Sequence, residues 1–320
     1  MEKKVGIFIP ARLQSERLPN KLMLPLNDKK LSLFEIACKK LKYLSKTYKC
    51  YALINDEQLI NIARMYDVEV IIRNPHTCEV DGPMTYIFGD LKDKIDHSLT
   101  HLTFLNPCLY NLSVETIENA IAEFVNSPAD SGTSVKEIKN WVWTEKGKAL
   151  IPADYKRLST KEIHGYYQAA HCFHIFSVEN FFKTGNMLDE NHSLILVDKL
   201  STLDVDDETE YELAKVMLPK LRKKFVVDID GTICTQEKDY RDAKPLQFNI
   251  DKLQKLDANG HTILYFTARG TETGIDWKSI TLAQLRNWGC PQYENLQFGK
   301  PSADFYIDDK ALPSTLDRWF

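Results

Sequence analysis

Val5-Gly6-Ile7-Phe8-Ile9-Pro10-Ala11-Arg12-Leu13-Gln14-Ser15-Glu16-Arg17-Leu18-Pro19-Asn20-Lys21 joins a short buried strand, Val5 to Ile9, to a loop with three cations, Arg12, Arg17 and Lys21. In open α/β sheets, ligands bind at the carboxyl ends of the strands, where this loop lies. Three fixed cations plus loop N–H groups suit a polyanion such as a triphosphate. It is not a P-loop, because the glycines and the Lys-Ser/Thr ending are missing. Charge alone leaves a solvated basic loop open as the alternative.

Outward from that strand, apolar periods alternate. Leu33, Phe34, Ala37, Leu41 and Leu44 recur with helical spacing. Tyr51 to Ile54 reads as a strand, Glu57 to Tyr66 as a helix and Val68 to Ile72 as a strand. His101 to Leu105 is another strand, and Val114 to Val125 a helix. The alternation predicts an α/β fold, a mostly parallel sheet covered by helices. From Trp141 to Tyr167 the period is lost, which suggests an insertion or lid with some β content, a candidate oligomer contact. Ala170 to Phe176 is strand-like again. A helix over 210–221 and the basic stretch Lys220 to Lys224 end this part. The second part alternates anew: strand 225–229, helix 249–258, strand 262–266, helix 277–288, strand 304–307. The expected domains are therefore 1–221 and 222–320.

The 320 residues, 43% hydrophobic, are enough for two cores. The net charge of −4 gives no global field for nucleic acid. The amino terminus does not read as a signal peptide, and no apolar run approaches the roughly 20 residues of a membrane span. The seven scattered cysteines read as reduced thiols of a cytosolic protein.

Two acidic segments stand out. Lys224-Phe225-Val226-Val227-Asp228-Ile229-Asp230-Gly231-Thr232 ends an apolar run with two carboxylates one residue apart. Like charges at close range raise at least one pKa unless a cation sits between them, so the pair implies a divalent metal or one charged and one protonated acid. Cys234 lies close by but has no histidine near it in sequence to activate it. The second segment is Leu203-Asp204-Val205-Asp206-Asp207-Glu208 before a helix. Its acids either cap that helix or bind a metal beside a triphosphate.

Ile-Pro-Ala-Arg, Ser15, Arg17-Leu18-Pro19 and Lys21 resemble the CTP-binding loop of nucleotide-sugar cytidylyltransferases, including the CMP-sialic acid-like and CMP-Kdo-like synthetases and spore-coat polysaccharide proteins. The likeness runs weakly over residues 1–220. It implies a Rossmann-like nucleotidyltransferase domain, CTP as substrate held by Arg12, Ser15, Arg17 and Lys21, and catalytic roles for Arg12 and Lys21. It also implies Mg²⁺ on Asp206, with Asp204 as second candidate. Departures are Gln14 and Asn20 where relatives carry glycine, Glu16 inside the loop, Asn106-Pro107-Cys108 after the central strand, and Ala169-Ala170-His171 in place of Asn-Gly. They bear on the acceptor, for which Asp81, Tyr166, Gln168 and His171 are candidate contacts. Relatives commonly dimerise through the mid-domain insertion, which implies a homo-oligomer.

Downstream, four motifs stand in order: Asp228-Ile229-Asp230-Gly231-Thr232, Leu264-Tyr265-Phe266-Thr267-Ala268-Arg269-Gly270, Gly299-Lys300-Pro301 and Phe305-Tyr306-Ile307-Asp308-Asp309-Lys310. They resemble the haloacid dehalogenase superfamily. The resemblance implies a second, capless Rossmann-like domain whose Asp228 attacks phosphorus, with Asp230 as acid/base. Thr267 would bind a phosphoryl oxygen and Lys300 would neutralise the phosphate. Asp228, Asp308, Asp309 and the Asp230 carbonyl would hold Mg²⁺. Tyr240 to Pro245 and Gly270 to Gly274 would flank the entrance, and Trp277, Gln284 and Trp288 match capsule-cluster phosphatases. Together the resemblances imply a bifunctional enzyme of surface-polysaccharide synthesis taking small-molecule substrates. The alternative is an active phosphatase carrying a degenerate nucleotide- or partner-binding module.

Overall fold

The computed structural model describes residues 2–26, 31–78, 84–151, 156 and 159–312. The chain forms two compact units, Met1–Leu218 and Pro219–Phe320, dividing inside the last turn of a helix.

The first unit runs β1 (Val5–Pro10), α1 (Leu33–Leu44), β2 (Lys49–Ile54), α2 (Glu57–Met65), β3 (Glu69–Ile72), α3 (Met84–Leu91), β4 (His101–Leu105), α4 (Val114–Asn126), β5 (Ser131–Glu137), β6 (Tyr167–Ser177), α5 (Val178–Thr184), β7 (Ser193–Leu196) and α6 (Glu208–Leu221). Helix starts are set by side-chain caps. Ser32 and Glu35 form a reciprocal capping box on α1, and Asp56, Ser113 and Ser177 cap α2, α4 and α5.

The sheet order is β3-β2-β1-β4-β6-β5-β7. β1 lies between parallel partners β2 and β4, so the expected parallel core is present. β6 runs antiparallel to both β4 and β5. Because Phe8 pairs with Phe104, the loops after β1 and β4 leave the sheet side by side. Phe8, Tyr51, Leu53, Leu102 and Phe176 fill the core on one face with Ile87 and Leu91 of α3. The expected irregular 141–167 region contains an isolated bridge between Trp143 and Ala149 among its described residues. Asp81 lies outside the described residues.

β5 and β6 slip register between Thr133 and Val135. Ser134 Oγ fills the gap, accepting from the N–H groups of Cys172 at 2.9 Å and Phe173 at 3.2 Å. Within β6, His171 takes φ 51°.

The second unit contains β8 (Lys224–Val227), α7 (Gln247–Ala258), β9 (Thr262–Thr267), α8 (Lys278–Asn287) and β10 (Leu296–Phe298). These strands are parallel in the order β10-β9-β8. Ile229, Ile233, Ile250, Leu253, Ile263, Tyr265 and Leu285 form its core, and the Tyr265 hydroxyl donates to the Pro291 carbonyl at 2.9 Å. One expectation is corrected here: residues 304–307 are not a strand. They lie in an irregular, exposed stretch, with Phe305 86% exposed, and among the described residues β8 pairs with β9 alone.

Candidate functional site

In the first unit the loop after β1 meets the acidic segment before α6. Lys21 Nζ donates to Asp206 Oδ1 at 2.6 Å, and Arg17 Nη2 to Asp206 Oδ2 at 2.8 Å. Asn20 makes this possible. It sits left-handed at φ 57° and ψ 22°, and its N–H donates to the Leu13 carbonyl at 3.2 Å, closing the loop. Asparagine is among the few residues that hold this conformation readily, so it can stand where relatives carry glycine. Leu13 to Glu16, Pro19 and Asn20 line an open cleft of about 410 Å³ beside these cations' loop. Ser15 Oγ accepts from the Leu18 N–H at 3.4 Å and so shapes the loop. Arg12 stands apart from the Asp206 group, its Nη1 donating to the Cys78 carbonyl at 3.3 Å.

The acids of 203–208 divide their work. Asp207 Oδ1 accepts from the Glu210 N–H at 2.9 Å and caps α6. Asp206 is left for Lys21 and Arg17, while Asp204 Oδ2 accepts from Asn106 Nδ2 at 3.0 Å at the end of β4. Cys108, Asp204 and Asp206 each offer one ligand atom, all within 4.8 Å of one another. Burial and the charge of Asp206 raise the Asp204 pKa. Burial would raise Asp206 too, but Lys21 and Arg17 outweigh it and hold the carboxyl below its usual range. Burial opposes the Lys21 charge, yet Cys108 and Asp206 raise its pKa overall. The Cys108 share needs a thiolate, whereas burial pushes that thiol up to about 12; at neutral pH Asp206 carries the effect.

Two carboxylates offering oxygens this close together suit a hard divalent cation. Asp204 and Asp206 therefore fit Mg²⁺, while a soft, protonated thiol does not suit that ion. Cys108 was singled out in the sequence only as a departure; its burial against Lys21 is a tertiary fact.

In the second unit Lys300 Nζ lies 2.9 Å from Asp228 Oδ1, bringing the first and third motifs together. The Lys300 N–H also donates to the Thr267 carbonyl at 3.1 Å. Thr267 is fully buried, and its hydroxyl accepts from the Arg269 N–H at 3.1 Å. Asp230 does not face a metal with its carboxylate. Arg269 grips it, Nε to Oδ2 at 2.9 Å and Nη2 to Oδ1 at 2.7 Å. Arg269 stands in the second motif but was given no role from sequence, because its partners are scattered along the chain.

Asp308 and Asp309 are exposed in the irregular stretch after Pro301 and do not join Asp228 in an acidic cluster among the described residues. The strand expected over 304–307 is not formed. The residues described in this unit therefore do not fit the four-ligand Mg²⁺ set expected from the motifs. Of the acceptor candidates, Gln168 and His171 lie in β6 and Tyr166 directly precedes it. The His171 ring lies 5.9 Å from that of His174.

The chain matches the cytidylyltransferase family over residues 6–265 and belongs to it. That match spans most of the first unit and continues into β9. Among solved structures, the fold is similar to CMP:2-keto-3-deoxy-manno-octonic acid synthetase complexed with CTP, at 13% identity and TM-score 0.53, over 68% of this chain and 99% of that one. It is also similar to 4-diphosphocytidyl-2C-methyl-D-erythritol synthase, at 12% identity and TM-score 0.50, over 68% of this chain and 99% of that one. At these identities the likeness is one of fold. No curated protein matches the chain.

Proposed function

We propose that the first unit transfers the cytidylyl group of CTP to an acidic-sugar, phosphate or phosphonate acceptor and releases pyrophosphate. The observation that carries this reading is the convergence of Lys21 and Arg17 on Asp206. A triphosphate competes with Asp206 for those two cations. The acceptor oxygen attacks the α-phosphorus, a hydroxyl acceptor giving its proton to solvent, the bond to the β-phosphate bridging oxygen breaks, and pyrophosphate leaves with the electron pair. The chain's part is positioning and charge neutralisation. Asp204 and Asp206 would hold Mg²⁺, which when bound supplies further neutralisation of phosphate charge. The fold likeness to a CTP-complexed synthetase of an acidic sugar supports this choice of nucleotide and acceptor class.

For the second unit the proposal is hydrolysis of a phosphate monoester, supported by Lys300 lying on Asp228. An Asp228 oxygen bonds to phosphorus as the ester oxygen departs, taking its proton from Asp230. Water then attacks phosphorus and gives a proton to Asp230, the bond from Asp228 to phosphorus breaks, and phosphate leaves with the Asp228 carboxylate restored. Lys300 offsets the charge of Asp228 and of the incoming phosphate. Paired in one chain, the two activities suit surface-polysaccharide synthesis, where acidic sugars are freed of phosphate and joined to CMP.

The test is incubation of the full chain with CTP, Mg²⁺ and a library of acidic sugars, phosphorylated sugars and phosphonates, with products identified by mass. Pyrophosphate release with a new cytidylylated product is expected; no CTP binding and no product with any acceptor would sink the first half. Aryl-phosphate hydrolysis that survives Asp228→Asn would sink the second.

A further inference from the structure

Arg269 has every guanidinium nitrogen engaged and no exposed side-chain surface. Besides the fork on Asp230, Nη1 donates to Thr281 Oγ1 at 3.1 Å and to Gln284 Oε1 at 2.7 Å, and Nη2 lies 3.6 Å from Cys234 Sγ. Its guanidinium carbon stands 4.6 Å from the ring centre of Tyr240. Gln284 closes the circuit by donating from Nε2 to the Tyr240 carbonyl at 2.6 Å. Trp277 then meets Tyr240 edge-on, ring centres 5.0 Å apart. Thr281, Gln284 and Tyr240 offer only neutral groups, so among these partners Asp230 brings the carboxyl group to a buried guanidinium. A planar fork on a carboxylate fixes its plane as well as its distance, which a lysine in the same place does not do.

We infer that Arg269 is the positioning residue for Asp230 and that, through Gln284, it ties the entrance segment at Tyr240 to that carboxylate. This rests on the phosphatase reading of the second unit. Asp230 serves a departing oxygen that needs a proton, so misplacing its carboxylate matters in proportion to that need. General acid catalysis contributes roughly 10²- to 10⁴-fold, and part of that range is what a loosened Asp230 forfeits. A staple with no part in positioning would slow all substrates alike when altered.

The experiment compares Arg269→Lys with the unaltered full chain on a primary alkyl phosphate and on 2,4-dinitrophenyl phosphate, whose leaving group departs without a proton. The expected result is a kcat loss at least about tenfold larger for the alkyl ester, with KM changed by less than about threefold. Equal losses on both substrates, or no loss on either, overturn the inference while leaving the phosphatase reading intact. Should Arg269→Lys not fold, Gln284→Leu answers the same question: it touches Arg269 and the Tyr240 backbone but neither Asp228 nor Asp230. Hydrolysis of neither substrate by the unaltered chain, or hydrolysis that survives Asp228→Asn, removes the phosphatase reading and the inference with it.

Discussion

Asn20 and Gly270 both take left-handed backbone, for different reasons. At Asn20, φ 57° shapes the cation loop, and alanine there would sit in a conformation disfavoured by about 1–2 kcal/mol. Asn20→Ala is expected to weaken CTP binding and Asn20→Gly to retain it, read by titration calorimetry. At Gly270, φ is +77° and an added Cβ would stand 2.2 Å from the Ile275 carbonyl oxygen. At Gly274, φ is +67° but nothing lies within 4 Å. Gly270→Ala should therefore lower the unfolding temperature distinctly more than Gly274→Ala. At this scale the sequence disclosed residue types that carry charge: Arg17, Lys21 and Asp206 were each legible from a local motif. Arg269 was not, because a buried fork is defined by partners 12 to 39 residues away.

Among the elements, β4 carries a titratable group in the sheet. His101 is buried, and burial followed by the nearby Lys3 charge brings its pKa from 6.5 down to about 4. The folded state thus prefers the neutral ring. Between pH 6.5 and 4 the unfolded chain binds the extra proton, so stability falls as pH falls through that window, by on the order of 3 kcal/mol at most. Denaturant unfolding at several pH values should show this slope, and His101→Leu should flatten it. His174 in β6 is likewise lowered to about 4, by burial and then by His171, and leaves a residual slope. β1, α1, β4 and α4 were plain in the sequence because their apolar periods are strong. β5 was not: Ser131, Gly132, Thr133 and Ser134 are small because the space is taken, an added Cβ on Gly132 falling 2.7 Å from Ser193 Oγ and 3.1 Å from the Phe124 ring. β7 and β10, of four and three residues, are too short to show a period. The opposite error, a strand at 304–307, arose because an apolar run fixes strand propensity but not a partner.

For the molecule as a whole, two units with separate cores predict separable losses. Asp228→Asn should abolish phosphate-ester hydrolysis and leave CTP binding unchanged. Lys21→Ala should do the reverse, as measured by calorimetry and aryl-phosphate assay on the same preparations. The outer side of β8 adds a property of another kind. Val226 is 60% exposed there, and along that side the described chain supplies no neighbouring strand. Open N–H and C=O groups on such an edge invite a strand from another molecule, and charge next to them is the usual guard. Lys223 and Lys224 are that guard here, both exposed. Their repulsion is screened by salt. Light scattering of concentrated protein should accordingly climb with ionic strength, and Val226→Lys should hold it down.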